Sequence, residues 1–89
     1  MSHTPITERE INGGTQKVYR FDNGFGASVV QHSFSYGGDC GQWELAVITF
    51  EADGWRLNYE TEITDDVIGR LEWHEVIGLL DQIAALQVE

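Results

Sequence analysis

The stretch from Trp43 to Thr61 most constrains what this chain can fold into. Trp43, Leu45, Val47 and Thr49 alternate with Glu44, Ala46, Ile48 and Phe50, and beyond them Trp55, Leu57, Tyr59 and Thr61 alternate with Arg56, Asn58 and Glu60. Successive side chains of a strand point to opposite faces, so a period of two in both halves, broken by Glu51-Ala52-Asp53-Gly54, predicts two antiparallel strands and a tight turn. A second hairpin is expected upstream. There Tyr19 and Phe21 alternate with Val18 and Arg20 between Gln16 and Asp22. Asn23-Gly24 follows as a strong turn signal, since both residues tolerate positive φ, and a strand is expected from Phe25 to about Phe34.

Two helices are expected after the central hairpin. Thr64 reads as an N-cap with Asp65 and Asp66 in a dipole-favoured first turn, and Gly69 limits that helix to one or two turns. From Trp73 to Leu86, the residues Trp73, Val76, Ile77, Leu79, Leu80, Ile83, Ala84 and Leu86 keep helical spacing, leaving Glu75, Gly78, Asp81 and Gln82 on the wet side. An amphipathic helix needs one apolar surface to cover. The expected fold is therefore α+β: a four-stranded antiparallel sheet of two hairpins, with a short helix and the C-terminal amphipathic helix packed on one face. Tyr19, Phe21, Ala27, Val29, Trp43, Leu45, Val47, Trp55, Leu57 and Tyr59 are assigned to the helix-covered face. Residues 1 to 15, rich in Ser, Thr and Gly, read as a flexible N-terminal arm, and residues 16 to 89 as a single α+β domain.

The reverse face mixes Val18, Val30, Ala46, Ile48 and Phe50 with Arg20, Ser28, His32, Glu44, Arg56, Asn58 and Glu60. Its apolar part is larger than an ordinary solvated face carries, so Val30, Ile48 and Phe50 are candidates for a homodimer or oligomer surface unless the N-terminal arm folds over them.

Charge narrows the function classes. Residues 44 to 89 hold eleven acids and two bases, Arg56 and Arg70, whereas residues 1 to 43 hold four acids and three bases; the whole chain stands at −10. A field of that sign repels nucleic acid and anionic membranes and attracts basic surfaces, so direct nucleic-acid binding is not expected. No apolar run is long enough to span a bilayer and the N-terminus lacks a signal peptide, so the mature protein is expected to be the whole chain, in the cytoplasm. The lone Cys40 suits that reducing compartment.

Catalytic motifs are sparse. His3, His32 and His74 share no ligand spacing, Cys40 has no cationic sequence neighbour to activate it, and no serine sits in a nucleophile elbow. The Gly-rich segment from Ser35 to Gly41 lacks the lysine and helix start of a phosphate loop. A metal-dependent enzyme built on Asp65, Asp66 and His74 is one alternative, against a plain acidic helix start. The main expectation is no catalytic residue, no metal and no cofactor.

What remains is the acidic surface. Glu51, Asp53, Glu60, Glu62, Asp65, Asp66, Glu72 and Glu75 fall within twenty-five positions and are the candidate partner-binding residues, expected to share one end of the sheet. Surface charge of this kind commonly serves solubility alone. Carboxylates on a rigid frame also imitate a phosphate array, and so occupy the basic groove of a DNA- or RNA-binding protein.

The run Tyr19-Arg20-Phe21-Asp22-Asn23-Gly24-Phe25-Gly26-Ala27-Ser28-Val29-Val30, then Tyr36-Gly37-Gly38, Trp43-Glu44-Leu45-Ala46-Val47 and Ile63-Thr64-Asp65-Asp66-Val67-Ile68-Gly69, resembles small bacteriophage and prophage proteins of unassigned function. The resemblance covers roughly residues 17 to 86 and implies a genomic setting, with no catalytic residues to carry over. In that setting the expected function is binding and inhibiting or modulating a basic nucleic-acid-binding protein in the bacterial host's cytoplasm, by analogy with anti-CRISPR and anti-restriction proteins. The alternative from another class is a homo-oligomeric phage accessory or structural module.

Overall fold

The computed structural model describes residues 3–11, 13–31, 42–58, 61, 63 and 67–87. Among these the chain forms six strands: β1 (Thr7–Ile11), β2 (Gly14–Arg20), β3 (Phe25–Gln31), β4 (Trp43–Glu51), β5 (Gly54–Leu57) and β6 (Ile68–Leu71). One helix follows, α1 (Trp73–Ala84). The molecule is mostly β, an antiparallel sheet curled as a half-barrel with α1 against one face. The four-stranded sheet with two helices is thereby corrected, although the coarser α+β character holds.

Two strands escaped the sequence reading for identifiable reasons. Thr7–Ile11, assigned to the flexible arm, pairs with β2 from Thr7↔Val18 to Ile11↔Gly14. Its Glu8-Arg9-Glu10 core has no apolar alternation to announce a strand, yet an edge strand needs only one ladder of backbone bonds and tolerates charge on both faces. Ile68–Leu71, read as the end of a short helix, instead pairs with β4 through Trp43↔Leu71 and Leu45↔Ile68. The start of that expected helix, Thr64 to Asp66, lies outside the described residues.

The strands run as a meander, β1-β2-β3-β4-β5, with β6 off that path. β4 is the centre. One of its edges takes β3; the other is shared by β6, alongside Trp43 and Leu45, and by β5, alongside Ile48 to Glu51. A bulge separates the two β6 contacts, so Ile68 and Leu71 both pack toward the helix across an odd spacing, and Arg70 between them takes φ 57.

Tyr19, Ala27, Val29, Leu45 and Val47 meet Leu71 and the helix residues Val76, Leu80 and Ile83 in one core. Apart from Leu71, which comes from the unexpected β6, these are the positions that the alternation and the helical spacing assign. Trp55 and Leu57 are the exception. A two-residue turn at Ala52 and Asp53 pairs Phe50 with Trp55 and Ile48 with Leu57, and directly paired residues share a face. Trp55 and Leu57 therefore join the reverse face, while Arg56 and Asn58 turn to the helix side, where the Asn58 amide donates to Thr49 Oγ1 at 2.8 Å.

The β2–β3 hairpin does more than turn the chain. Only Gly24 takes positive φ (85°); Phe21 and Phe25 close the loop by the Phe21 N–H to Phe25 carbonyl bond, the geometry of a type I turn followed by a left-handed glycine. Asn23 is thereby aimed at the helix. Its Oδ1 accepts from the Phe25 N–H, and its Nδ2 lies 2.9 Å from the Ile83 carbonyl and 3.1 Å from that of Leu86. The last turn of α1 holds no basic residue, and this amide adds a side-chain donor to the carbonyls at the helix end, where that of Ile83 also accepts the Leu86 N–H.

Candidate partner-binding surface

Only part of the acidic set expected to form one surface lies within the described residues. Glu51 and Asp53 flank the β4–β5 turn, and Glu72 and Glu75 open α1; Glu60, Glu62, Asp65 and Asp66 lie outside the described residues. These two pairs do not share one end of the sheet. Glu72 follows Leu71, which pairs with the first residue of β4, whereas Glu51 is its last residue. Eight steps at an antiparallel rise of roughly 3.4 Å separate the ends by about 27 Å. Glu51 is moreover matched by the Arg56 guanidinium.

Around the start of α1 the arrangement is different. Trp73 opens the helix and packs its indole on that of Trp43, with ring centroids 5.1 Å apart. The Lys17 ammonium lies over both rings, 5.4 Å from the Trp73 centroid and 6.0 Å from that of Trp43, and is itself paired with Glu8 at 2.9 Å. Glu8 and Lys17 are direct partners across β1 and β2, and Lys17 reaches the tryptophans over β3. Trp73 nevertheless keeps 40% of its surface exposed. Beside it the Glu75 carboxylate accepts the Glu72 backbone N–H at 3.0 Å, which fixes the first helical turn. Glu72 and Glu75 are exposed and meet no lysine or arginine among the described residues. Sequence spacing flagged Trp73 only as core, and no local signal links it to Lys17, which lies 56 positions away.

The reverse face, proposed for self-association, is already occupied in part. Ile48 has no exposed surface, Val18 and Ala46 are buried, and Val30 and Phe50 are half-buried. Phe50 sits beneath the Arg20 guanidinium at 4.9 Å and against Gly26, where a Cβ would come 2.8 Å from its ring and 2.0 Å from the Tyr19 carbonyl oxygen. A polar chain crosses the same face: Arg9 Nε donates to Gln16 Oε1 at 2.6 Å, and Gln16 Nε2 donates to Ser28 Oγ at 2.9 Å. The large apolar groups that do face solvent there are Trp55 (41%) and Leu57 (44%) on β5. Ile48 is thus core, and of the oligomer set only Val30 and Phe50 have surface to offer.

An open cleft of about 330 Å³ lies by the β2–β3 hairpin, lined by Ile6, Arg20, Phe21, Asp22 and Gly24. Of the expected metal set, His74 is exposed on α1 and Asp65 and Asp66 lie outside the described residues; no group of three potential ligands assembles among the described residues. Cys40 and the Gly-rich segment lie outside the described residues too. None of the described helices is long and apolar enough to cross a membrane. No protein-family model, curated protein or solved structure matches this chain.

Proposed function

We propose that the protein works by binding rather than by catalysis: it engages a basic, nucleic-acid-binding protein of a bacterial host through its acidic surface and so inhibits or modulates that partner. The observation that carries this reading is the charge distribution. The chain stands at −10, nine of those charges net from residues 44 to 89, and Asp53, Glu72 and Glu75 are exposed without a lysine or arginine partner among the described residues. Carboxylates left unmatched on a surface raise the on-rate and the specificity for a basic patch. The acids at the start of α1, beside an exposed tryptophan, make a better contact than the β4–β5 turn, where Arg56 already neutralises Glu51.

The test is capture of tagged protein's partners from bacterial lysate, comparing wild type with the Glu72→Lys, Glu75→Lys double variant. Support is a single stoichiometric protein that binds duplex DNA or RNA when free, is displaced by that nucleic acid, and is lost with the double variant or at moderate salt. Recovery of the protein alone overturns the reading in favour of a self-assembling module. For that second reading Trp55 and Leu57 on the β5 edge are the favouring observation, and light scattering at high concentration decides it.

A further inference from the structure

We propose that the outer edge of β5 is a self-association surface: a second copy of the chain adds its own β5 antiparallel to the first, about a two-fold axis at Arg56, and lays each Trp55 on the Leu57 of the other copy. The pairing goes beyond both readings of function and rests on neither, because it leaves the start of α1, at the far end of β4, uncovered.

Backbone direction decides what β5 offers. The Asn58 N–H donates to the Val47 carbonyl at 2.8 Å, in step with the register that pairs Ile48 with Leu57 and Phe50 with Trp55. Along an antiparallel strand the N–H and carbonyl groups alternate between its two edges, so Arg56 turns its pair toward β4 as Asn58 does, and Trp55 and Leu57 turn theirs away. β5 ends the strand path and all four of its residues are exposed, so no strand among the described residues takes those outward groups. The same two residues carry the exposed apolar side chains of the edge, at 41% and 44%.

A second β5 matches this edge in register and in charge. With the axis at Arg56, Trp55 and the partner's Leu57 form a hydrogen-bonded pair twice over, which uses all four outward groups; directly opposite residues share a face, so each indole covers a leucine. Centring the axis on Trp55 instead sets Leu57 against an aspartate, Asp53. The two Arg56 residues meet across the axis on the other face, and each brings the Glu51 of its own chain, so the paired strip is neutral although the chain stands at −10. β1, the opposite end of the path, is guarded against the same pairing. There an axis at Arg9 sets Glu8 against the partner's Glu10 twice, with no apolar pair in return. An isologous contact of this kind closes on itself as a dimer. Four residues a side cover less than the roughly 1,200–2,000 Å² of a stable interface, so the dimer is a weak one that forms at high concentration.

The experiment follows the whole protein from about 10 µM to about 1 mM, the range in which a small, transient interface associates, by sedimentation equilibrium and by residue-resolved amide exchange. The mass is expected to rise toward the dimer, and the rise to be larger at moderate than at low salt, because screening relieves repulsion between like-charged copies. Over the same range exchange at the Trp55 and Leu57 amides is expected to slow, while the Arg56 amide, bonded within the chain, stays slow throughout and β1 does not change. Leu57→Glu is expected to weaken association about tenfold, with the melting midpoint showing that the variant is folded; the wild-type exchange map carries the test if it is not. A monomer at the highest concentration, a dimer whose Trp55 and Leu57 amides exchange as in the monomer, or unchanged association of folded Leu57→Glu overturns the proposal. None of these outcomes touches the basic-partner reading, which is judged by the Glu72→Lys, Glu75→Lys variant and by a salt response of opposite sign.

Discussion

Arg70 is the one described residue other than glycine with positive φ, at 57°. A side chain in the left-handed region costs roughly 1–2 kcal/mol, and glycine there gives back part of that through its larger unfolded-state entropy. Arg70→Gly is therefore expected to raise stability by up to about 1 kcal/mol, read as a rise in the urea midpoint at unchanged slope; a fall would mean that the guanidinium makes a contact worth more than the strain. Tyr19 makes a second prediction at this scale. Burial against the helix, and secondarily the charge of Glu8, holds its phenol above the ordinary value of about 10. The folded state thus favours the neutral phenol, so its contribution is fully present below about pH 10 and is lost as pH rises through the folded value. An ultraviolet-monitored alkaline titration should show one tyrosine ionising late, together with unfolding, and Tyr19→Phe should remove that late step.

Between elements, the contact most open to a clean test joins the β2–β3 hairpin to the end of α1. Asn23 Nδ2 is the donor to the Ile83 and Leu86 carbonyls, and a lost helix-end bond of this kind costs about 1–2 kcal/mol. Asn23→Ala is expected to lower stability by that amount and to raise amide exchange in the last turn of α1, not in β6; uniform loosening would show that the hairpin rather than the cap had failed. The Asn23-Gly24 pair was legible as a turn, and its capping role was not, because the helix it caps lies 60 residues further along. Elsewhere the same division recurs. Val76, Leu80 and Ile83 declared the buried stripe of α1 by spacing alone, whereas β6 was hidden by the helix-start reading of the Thr64-Asp65-Asp66 sequence before it, and β1 by charged residues that only backbone pairing makes into a strand.

For the whole molecule the governing quantity is a net charge of −10 on 89 residues. Self-repulsion of that size destabilises a compact state, and salt screens it over a Debye length of about 10 Å at 0.1 M. Thermal stability is therefore expected to rise between 10 and 300 mM sodium chloride, measured by calorimetry, over the same range in which binding to a basic partner weakens. Opposite signs for the two responses separate a surface that is only tolerated from one that is used: a charge serving solubility alone gives the first without the second. The candidate site was legible in part at this scale. Glu72 and Glu75 were identified from their density along the chain, but their separation by about 27 Å from the β4–β5 turn follows from the strand rise and the pairing of β4.

What the sequence determined by itself is whatever one stretch of backbone encodes locally: the period of two in β4, the helical stripe of α1, the turn residues at Asn23-Gly24 and Glu51-Ala52-Asp53-Gly54, and the sign of the field. What only the tertiary structure decided is which stretches meet. Turn geometry put Trp55 and Leu57 on the face opposite the one expected, since the pairing of Phe50 with Trp55 reverses every side chain that follows. β6 took the half of the β4 edge that β5 left open. Lys17, Trp43 and Trp73 came together across three strands and a helix start. Local hydrogen-bond geometry repeats with a period that a sequence displays, whereas contacts between distant segments depend on shape and charge complementarity, which no spacing records.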